Sequence, residues 1–421
     1  MTTVAKKLAQ VKPGGLWVGL DLGLDSIAVA VLTERGQRVA RFKVAHNRDG
    51  YQELRERLRR LVTRQAASGL LLGLEPTNYY WKLVGTYLTQ ESLPFRLVNP
   101  YTVKRHREGD QLDRAIDDWR DAMMIAELLR TGKFTETRLR AGGYAELQQG
   151  YATYWRLRHA RARHVTLLTN GLRQVFPEMQ QILKDLTSYT AQAVLASGPA
   201  AAVIRTLTWA DFLARVRAAA QGHRLAVRKL RQLHALAQQS IGLTAGLDAL
   251  CLDLRANVAI ITLLDQQVQA VVAQLLPIFR TLPEAPYLCS IEGLPEWSAL
   301  GILAETGPLT DYGSGKDLIK LAGTQPTPNA SGRAQRSHTP FSKQGRARLR
   351  LTLFWATLQL VKHNAAIAHH YHRLQTRAVH PLTKMEALGA CMNKLLWYVW
   401  HTGHTQETYR PDFWKTATSV A

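Results

Sequence analysis

Between Leu16 and Ala45 the chain offers three short apolar runs, LWVGLDL, SIAVAVL and RVARFKVA, separated only by Gly/Asp and Arg-Gly turns. Runs of this length, bounded by turn-forming residues, read as strands, and connections this brief join antiparallel neighbours. An antiparallel three-strand meander is therefore expected at the start of the fold. The pattern then changes to alternation. A helix of mixed charge from about Asn47 precedes a strand LLLGLE, a helix from about Asn78, a strand FRLVN closed by Pro100, and a helix reaching Arg130. The order βββαβαβα is that of a ribonuclease-H-like α/β domain, although a fold does not by itself fix a function.

Charge narrows the function. With 54 Lys+Arg against 32 Asp+Glu the formal net charge is +22, well beyond what solubility requires, so a polyanionic partner is the economical explanation. No apolar run approaches the length of a membrane span, and the lysines of MTTVAKKLAQVKPGG have no apolar signal core behind them. A cytoplasmic, nucleic-acid-facing protein is expected. Cys251, Cys289 and Cys391 are too widely spaced for a zinc ribbon or a disulfide framework. His369, His370 and His372 in AHHYHR lack a Cys or carboxylate to complete a zinc set.

Three further segments carry a pattern. From about Tyr144 to Phe176 a helical stretch holds Arg156, Arg158, Arg161, Arg163 and Arg173 with no acid between Glu146 and Glu178, a face able to track a phosphate backbone or simply a solvated one. Leu243, Leu247, Leu250, Leu254, Asn257, Ile261, Leu264, Val268, Val271 and Leu275 then alternate steps of four and three, the seam of a coiled coil in which Asn257 sets register or partner number, or else the face of a packed helix in an ordinary bundle. After Pro277, YLCSIEGLPEWSALGILAETG reads as helix, Gly-containing turn and helix, a helix-hairpin-helix-like segment whose turn amides suit a DNA phosphate. The expected organisation is an N-terminal α/β domain over residues 1–143, a helical linker and coiled coil over 144–280, and a mainly helical C-terminal domain over 281–421.

Chemistry enters through carboxylates. In the expected sheet Asp21 ends the first strand and Glu75 the fourth, on neighbouring strands, and Asp118 and Asp121 stand three apart on the last helix, hence on one helical face. Four hard oxygen ligands at one edge suit one or two Mg²⁺ or Mn²⁺ ions that polarise a phosphate. Taken singly, each is equally a turn or surface acid. Far downstream, Ser331 sits in TPNASGRAQRSH, a turn-like run, and is followed by Arg333, Arg336, Lys343, Arg346, Arg348 and Arg350 with no Asp or Glu among them. Those cations suit either phosphate oxygens in a transition state or plain neutralisation of DNA.

The motifs VGLDLGLDSIAVAV, LEPTNYYW, VNPYTVKRHREG and DDWRDAMMIAELL resemble, in order and spacing, the RuvC-like DEDD domain of the IS one-ten family of insertion-sequence transposases. SIEGLPEWSALGILAETG, DLIKLAGTQPTPNASG and FSKQGRARLR resemble that family's C-terminal transposase domain, so the likeness runs from about Leu16 to Tyr409. The resemblance implies that Asp21, Glu75, Asp118 and Asp121 are the acidic set and that Ser331 is the nucleophile, joined covalently to a DNA end during strand exchange. It also implies donor and target duplex DNA as substrates, a structured bridge RNA as guide, and assembly through the coiled coil to a dimer and then a tetramer. Three departures stand out. Ile116 and Asp117 replace the family's common Lys-Thr, making Asp113 and Asp117 rival carboxylates; Glu292 replaces a common Pro in the hairpin; and Gly345-Arg346 replaces Gly-Asn. Two rival readings remain open on the residues alone: a metal-dependent nuclease or junction resolvase in which water attacks, and a non-catalytic nucleic-acid-binding protein.

Overall fold

The computed structural model describes residues 13–76, 80–103, 105, 118–134, 139–327, 330, 331, 334, 335 and 340–411, with backbone only at 330, 331, 334 and 335. The chain divides into two compact units, Met1–Arg140 and Ala141–Ala421. The first is a mixed α/β sheet structure and the second is mostly helical. No helix among the described residues is long and apolar enough to cross a membrane.

In the first unit β1 (Leu16–Leu22), β2 (Ser26–Leu32) and β3 (Arg38–Ala45) form the expected antiparallel meander. Helix α1 (Arg48–Arg64) leads to β4 (Leu70–Leu74), α2 (Tyr80–Gln90) to β5 (Phe95–Leu97), and α3 (Asp118–Arg130) closes the unit. The sheet order is β3-β2-β1-β4-β5, with β1, β4 and β5 parallel. Central β1 is apolar at nearly every position because both of its faces are covered, whereas edge strand β3 alternates and exposes Arg38, Arg41 and Lys43. One sheet face, with Val18, Leu20, Val29 and Leu72, packs on Leu54 and Leu58 of α1 and Val84 and Leu88 of α2. The other, with Trp17, Leu32 and Leu71, packs on Ile125, Ala126 and Leu129 of α3. Full burial of such leucines and isoleucines contributes about 2 kcal/mol each. Asn47 starts α1 by accepting a hydrogen bond from Gly50 N at 2.9 Å, an N-cap that ends the strand and fixes the helix entry.

The second unit is organised on two long helices, α4 (Gly142–Val175) and, after several short ones, α10 (Leu247–Arg280). They run antiparallel. Gly150 lies against Leu275 and Gly171 against Leu254, while Arg161 Nε and Nη2 donate to the Asp265 carboxylate at 2.5 and 3.0 Å. The heptad seam faces this partner: Leu254, Asn257, Ile261, Val268 and Leu275 are buried against α4. The seam expected to join chains is thus occupied inside one chain, because a 3–4 repeat demands a facing helix and α4 supplies it. Asn257, 3% exposed, has its Oδ1 2.8 Å from His164 Nδ1, and its Nδ2 donates to Asp253 O at 2.9 Å. Leu243 lies before the helix and is exposed, so the seam starts later than its spacing suggested.

Each end of the α4–α10 pair has its own core. Near Leu168, Leu172, Leu254 and Ile261 pack α5 (Met179–Ile182), α6 (Tyr189–Ser197), α7 (Ala201–Arg205), α8 (Trp209–Ala219) and α9 (Val227–Ala237). Near Leu147, Tyr151, Leu275 and Phe279 pack α11 (Ala285–Cys289), α12 (Glu296–Thr306), α13 (Gly315–Ala322), α14 (Ala347–His363), α15 (Ala365–Thr376) and α16 (Lys384–Thr405). The helix-turn-helix pattern of α11 and α12 is present, with Gly293 at φ +79° in its turn. That turn packs against the α14–α15 junction: Gly293 lies against His363, and Asn364 Nδ2 donates to Glu292 O at 2.9 Å. It serves packing of the unit.

Candidate active site

Strand register brings the acidic residues of the first unit to one edge. Asp21 on β1 pairs with Ala28, which pairs with Lys43, so the three stand in one row and leave the sheet by the same face. Leu20 pairs with Leu74 in parallel, so Glu75, directly after β4, takes the place beside Asp21 on the next strand, about 4.8 Å away. Helix α3 crosses this face over two glycines. A Cβ on Gly19 would lie 2.0 Å from Ala122 O, and one on Gly73 would lie 2.9 Å from Ile125 Cγ2. One helical turn before Ala122 is Asp118, and one turn before Ile125 is Asp121; two residues beyond Gly19 and Gly73 are Asp21 and Glu75. All four carboxylates therefore belong to the edge at the C-terminal ends of β1 and β4.

The edge also holds a cation that sequence reading missed. Lys43 Nζ lies 2.6 Å from Asp118 Oδ2, with both side chains about half exposed, and it stands 5.5 Å over the ring of Trp119, which Arg41 approaches at 5.7 Å. Its signal was faint: only a register running across three strands sets Lys43 in line with Asp21. Among the described residues no three of His, Cys, Asp and Glu come close enough to hold a metal ion. The donors are of the right kind for a hard cation, and the Lys43 ammonium occupies the neighbourhood of one of them. The rivals Asp113 and Asp117 lie outside the described residues.

In the second unit Ser331 is carried by a hairpin. Strand β6 (Ala330–Ser331) pairs with β7 (Ala334–Gln335), Ala330 with Gln335 and Ser331 with Ala334, so Ser331 is the last paired residue before a two-residue tip. Local composition suggested a turn; the backbone at Ser331 is instead a short strand. The stalk below is well defined. Thr327 N donates to Pro340 O at 3.0 Å, Ser342 N to Gln325 O at 2.9 Å, Lys343 N to Gly323 O at 3.0 Å and Arg346 N to Leu321 O at 2.7 Å. Gly323, at φ +66°, ends α13, and Gly345 crosses it so closely that a Cβ there would stand 2.4 Å from Gly323 N.

The expected row of cations divides. Arg333 and Arg336 lie outside the described residues, and Lys343 is exposed at φ +53°. Arg346 and Arg348 are held by Glu305 of α12, a carboxylate that is only 7% exposed: Arg348 Nε lies 3.0 Å from Oε1, Arg346 Nη1 lies 3.8 Å from Oε2, and Arg346 also donates to Glu305 O. Arg350 Nη1 donates to Ala322 O at 2.7 Å. The stretch without acids in sequence therefore acquires one in space. Glu305 stood in view as the lone acid of ILAETG, a helix otherwise buried through its last two turns. On α4, Arg161 is spent on Asp265, while Arg156, Arg158 and Arg163 are exposed. Arg156 and Arg163 share a face and Arg158 lies roughly opposite, so the four do not form a single phosphate-tracking row.

Comparisons with known proteins identify relatives of both units. A DEDD-type transposase model of the IS110 group, described as "Transposase", matches residues 18–177. A second, "Transposase IS116/IS110/IS902 family", matches residues 285–373. The chain is 23% identical over 404 residues to the "Mini-circle putative transposase for IS117" of Streptomyces coelicolor, covering 90% of this chain and 92% of the relative.

Proposed function

The chain belongs to the IS110 family of transposases, and from that premise we propose that it is a serine-dependent DNA recombinase whose acidic sheet edge assists phosphoryl transfer. DNA transposition is the activity the family implies. The observation that carries the finer reading is the shared edge of Asp21, Glu75, Asp118 and Asp121, reached through strand register and the two glycine crossings of α3. The sheet order β3-β2-β1-β4-β5 supports a ribonuclease-H-like, RuvC-like domain, in which such an edge is the working one.

In this reading the Ser331 hydroxyl oxygen attacks the scissile phosphorus and its proton passes to a base. The bond from phosphorus to one deoxyribose oxygen breaks, and that oxygen leaves as a hydroxyl. A hydroxyl from the exchanged strand then attacks the phosphoserine and releases the serine, so each broken phosphodiester is replaced by another. Asp21, Glu75, Asp118 and Asp121 would hold Mg²⁺ or Mn²⁺, which supplies charge stabilisation at phosphate oxygens. The cations after Ser331 in the sequence would offer guanidinium and ammonium donors to the phosphate. A structured bridge RNA supplies sequence choice by base pairing.

Assembly to a dimer and tetramer belongs to the same reading. Since α4 covers the first seam of α10, the free face is a second 3–4 repeat, Ala249, Leu252, Ala256, Ala259 and Leu263, all exposed, and it suits a helix of another copy.

The test is a denaturing gel with end-labelled nicked duplex carrying the element's own junction. Labelled DNA should migrate with the protein, the adduct should disappear in Ser331→Ala, and chelation of divalent metal should suppress it. Free cleaved ends without any adduct would replace this reading with water-mediated cleavage.

A further inference from the structure

The helices between the two matched stretches, α5 to α9, carry a surface that neither the acidic edge nor the serine hairpin uses. From Phe212 to Leu247 the sequence contains no Asp or Glu, yet Arg215, Arg217, Arg224, Arg228, Lys229 and Arg231 are all exposed there. None forms an ion pair with a carboxylate among the described residues, and Arg231 lies 5.2 Å over the Trp209 ring. Amid these cations stands a ring pair. Tyr189, at the start of α6 and 60% exposed, stacks on His223 with centroids 3.9 Å apart and planes 16° from parallel.

The pair is built by the backbone. The turn from α8 to α9 passes through two successive left-handed residues, Gln221 at φ +47° and Gly222 at φ +84°. It is tied to α6 where Ala226 N donates to the Thr190 hydroxyl at 3.0 Å, with Thr190 buried. His223 N donates to Ala220 O at 2.9 Å, which presents the imidazole outward to meet Tyr189. Stacking buries only the faces that the two rings turn to each other, and Tyr189 remains 60% exposed, so a third flat ring placed on the pair would bury more. Arg217, Arg224 and Arg228, on the same turn and the helices that flank it, are exposed within six residues of His223.

We propose that this turn is a binding site for unpaired nucleotides of a folded RNA, with a base stacked on the Tyr189–His223 pair and flanking phosphates on Arg217, Arg224 and Arg228. Duplex DNA keeps its bases inside the stack, whereas RNA loops and bulges present splayed bases to aromatic platforms and guanidinium groups. The site deepens the reading of a guide RNA and rests on it.

Two measurements test it. Binding of short labelled oligouridine to the full chain should weaken roughly tenfold in Tyr189→Ala, the loss expected for one stacked base, and recover in Tyr189→Phe. Affinity for a short DNA duplex should change less than about twofold, since a duplex offers no free base to the ring pair. Charge reversal at Arg224 and Arg228 should flatten the salt dependence by about 0.7 in log–log slope for each phosphate that the protein ceases to neutralise. Protein purified with its bound nucleic acid is also irradiated, digested and weighed: a ribonucleotide adduct on the peptide bearing Tyr189 or His223 is expected. RNA adducts confined to other peptides, or equal losses for oligouridine and duplex, would overturn the site while leaving an RNA partner standing. A deoxyribonucleotide adduct on this peptide would overturn the RNA assignment, and absence of any RNA adduct on the protein would refute the partner itself. Each outcome is independent of the serine–DNA adduct.

Discussion

Gly19→Ala tests the geometry on which the acidic edge depends. Gly19 has an extended backbone that any residue adopts, so the substitution acts through space alone. The added methyl would stand 2.0 Å from Ala122 O and 2.5 Å from Ala126 N, where ordinary contact begins near 3.4 Å. Both opposing atoms are backbone of α3, so no side-chain rotation relieves the clash and the helix must retreat by more than an ångström. Overpacking of this kind costs about 3 kcal/mol, the upper end for an inserted methyl, because a whole helix shifts. Asp118 and Asp121 lie one turn from the collision, and an ångström of misplacement at a reacting centre costs on the order of a hundredfold in rate. Peptide-resolved hydrogen exchange over residues 118–130 should show loss of protection, and serine–DNA adduct should form about a hundredfold more slowly. Gly73→Ala is the matched control: there the nearest atom is the Ile125 Cγ2 methyl at 2.9 Å rather than helix backbone at 2.0 Å, so the misfit is about half an ångström and the cost should stay near 1 kcal/mol. Gly19→Ala with unaltered exchange in α3 and unaltered adduct yield would refute the claim that this crossing sets the edge.

Other perturbations have equally definite outcomes. Lys43→Met removes the ammonium 2.6 Å from Asp118; the half-exposed pair is worth under about 1 kcal/mol, so stability should hold while half-maximal adduct formation needs several-fold less Mg²⁺ by titration, and a higher requirement would show that Lys43 assists. Glu305→Gln leaves two guanidinium groups without their carboxylate and should destabilise by about 2 kcal/mol in chemical denaturation, while raising affinity for non-specific duplex DNA; an unchanged denaturation midpoint would reduce the bridge to a surface contact. Asn257→Leu should cost about 1 kcal/mol by stranding His164, and His164→Leu in the same chain should recover most of it, a coupling that a double-mutant cycle measures and whose absence would remove Asn257 as a register device. His370 is pushed down to about 4 by burial and then by the nearby Lys394, Arg373 and His369 charges. Its folded-state pKa lies below the unfolded one, so the unfolded chain takes up the proton first and stability falls as pH drops from about 6.5 toward 4; the urea midpoint of His370→Gln should fall less between pH 6.5 and 5 than that of the parent chain.

The sheet was legible because its signals are local: three alternating or fully apolar runs joined by short Gly- and Asp-containing loops specify a meander, and the following alternation specifies parallel strands. The Asp118–Asp121 step was legible for the same reason, since three residues on a helix define a face. Partners were not. A heptad spacing states that a helix lies on the seam without stating whose, and α4, some hundred residues earlier, answered for α10. Likewise the cations after Ser331 looked unopposed because Glu305 reaches Arg346 across 41 residues of chain, and Lys43 meets Asp118 across 75. The helices from Met179 to Ala237 were not separated within the expected helical linker: each is four to eleven residues long, too short for its period to stand out.

The braced arginines bear on what the serine hairpin is for. A loop meant only to neutralise DNA gains nothing from burying a carboxylate beneath its cations, because Glu305 subtracts charge and holds Arg346 and Arg348 to fixed positions. A loop meant to present one hydroxyl to one phosphorus gains directly, since reaction rate falls steeply with misplacement of the attacking atom. The stalk is compatible with the second design: Gly323 and Gly345 cross at backbone contact, Arg350 of α14 ties back to Ala322, and hydrogen bonds at Thr327, Ser342, Lys343 and Arg346 pair its two legs. Exposed Lys343 remains available to a phosphate near the foot of the same stalk. If the stalk positions the serine, loosening it at Gly345, where any Cβ would strike Gly323 N, should slow serine–DNA adduct formation well before it weakens DNA binding.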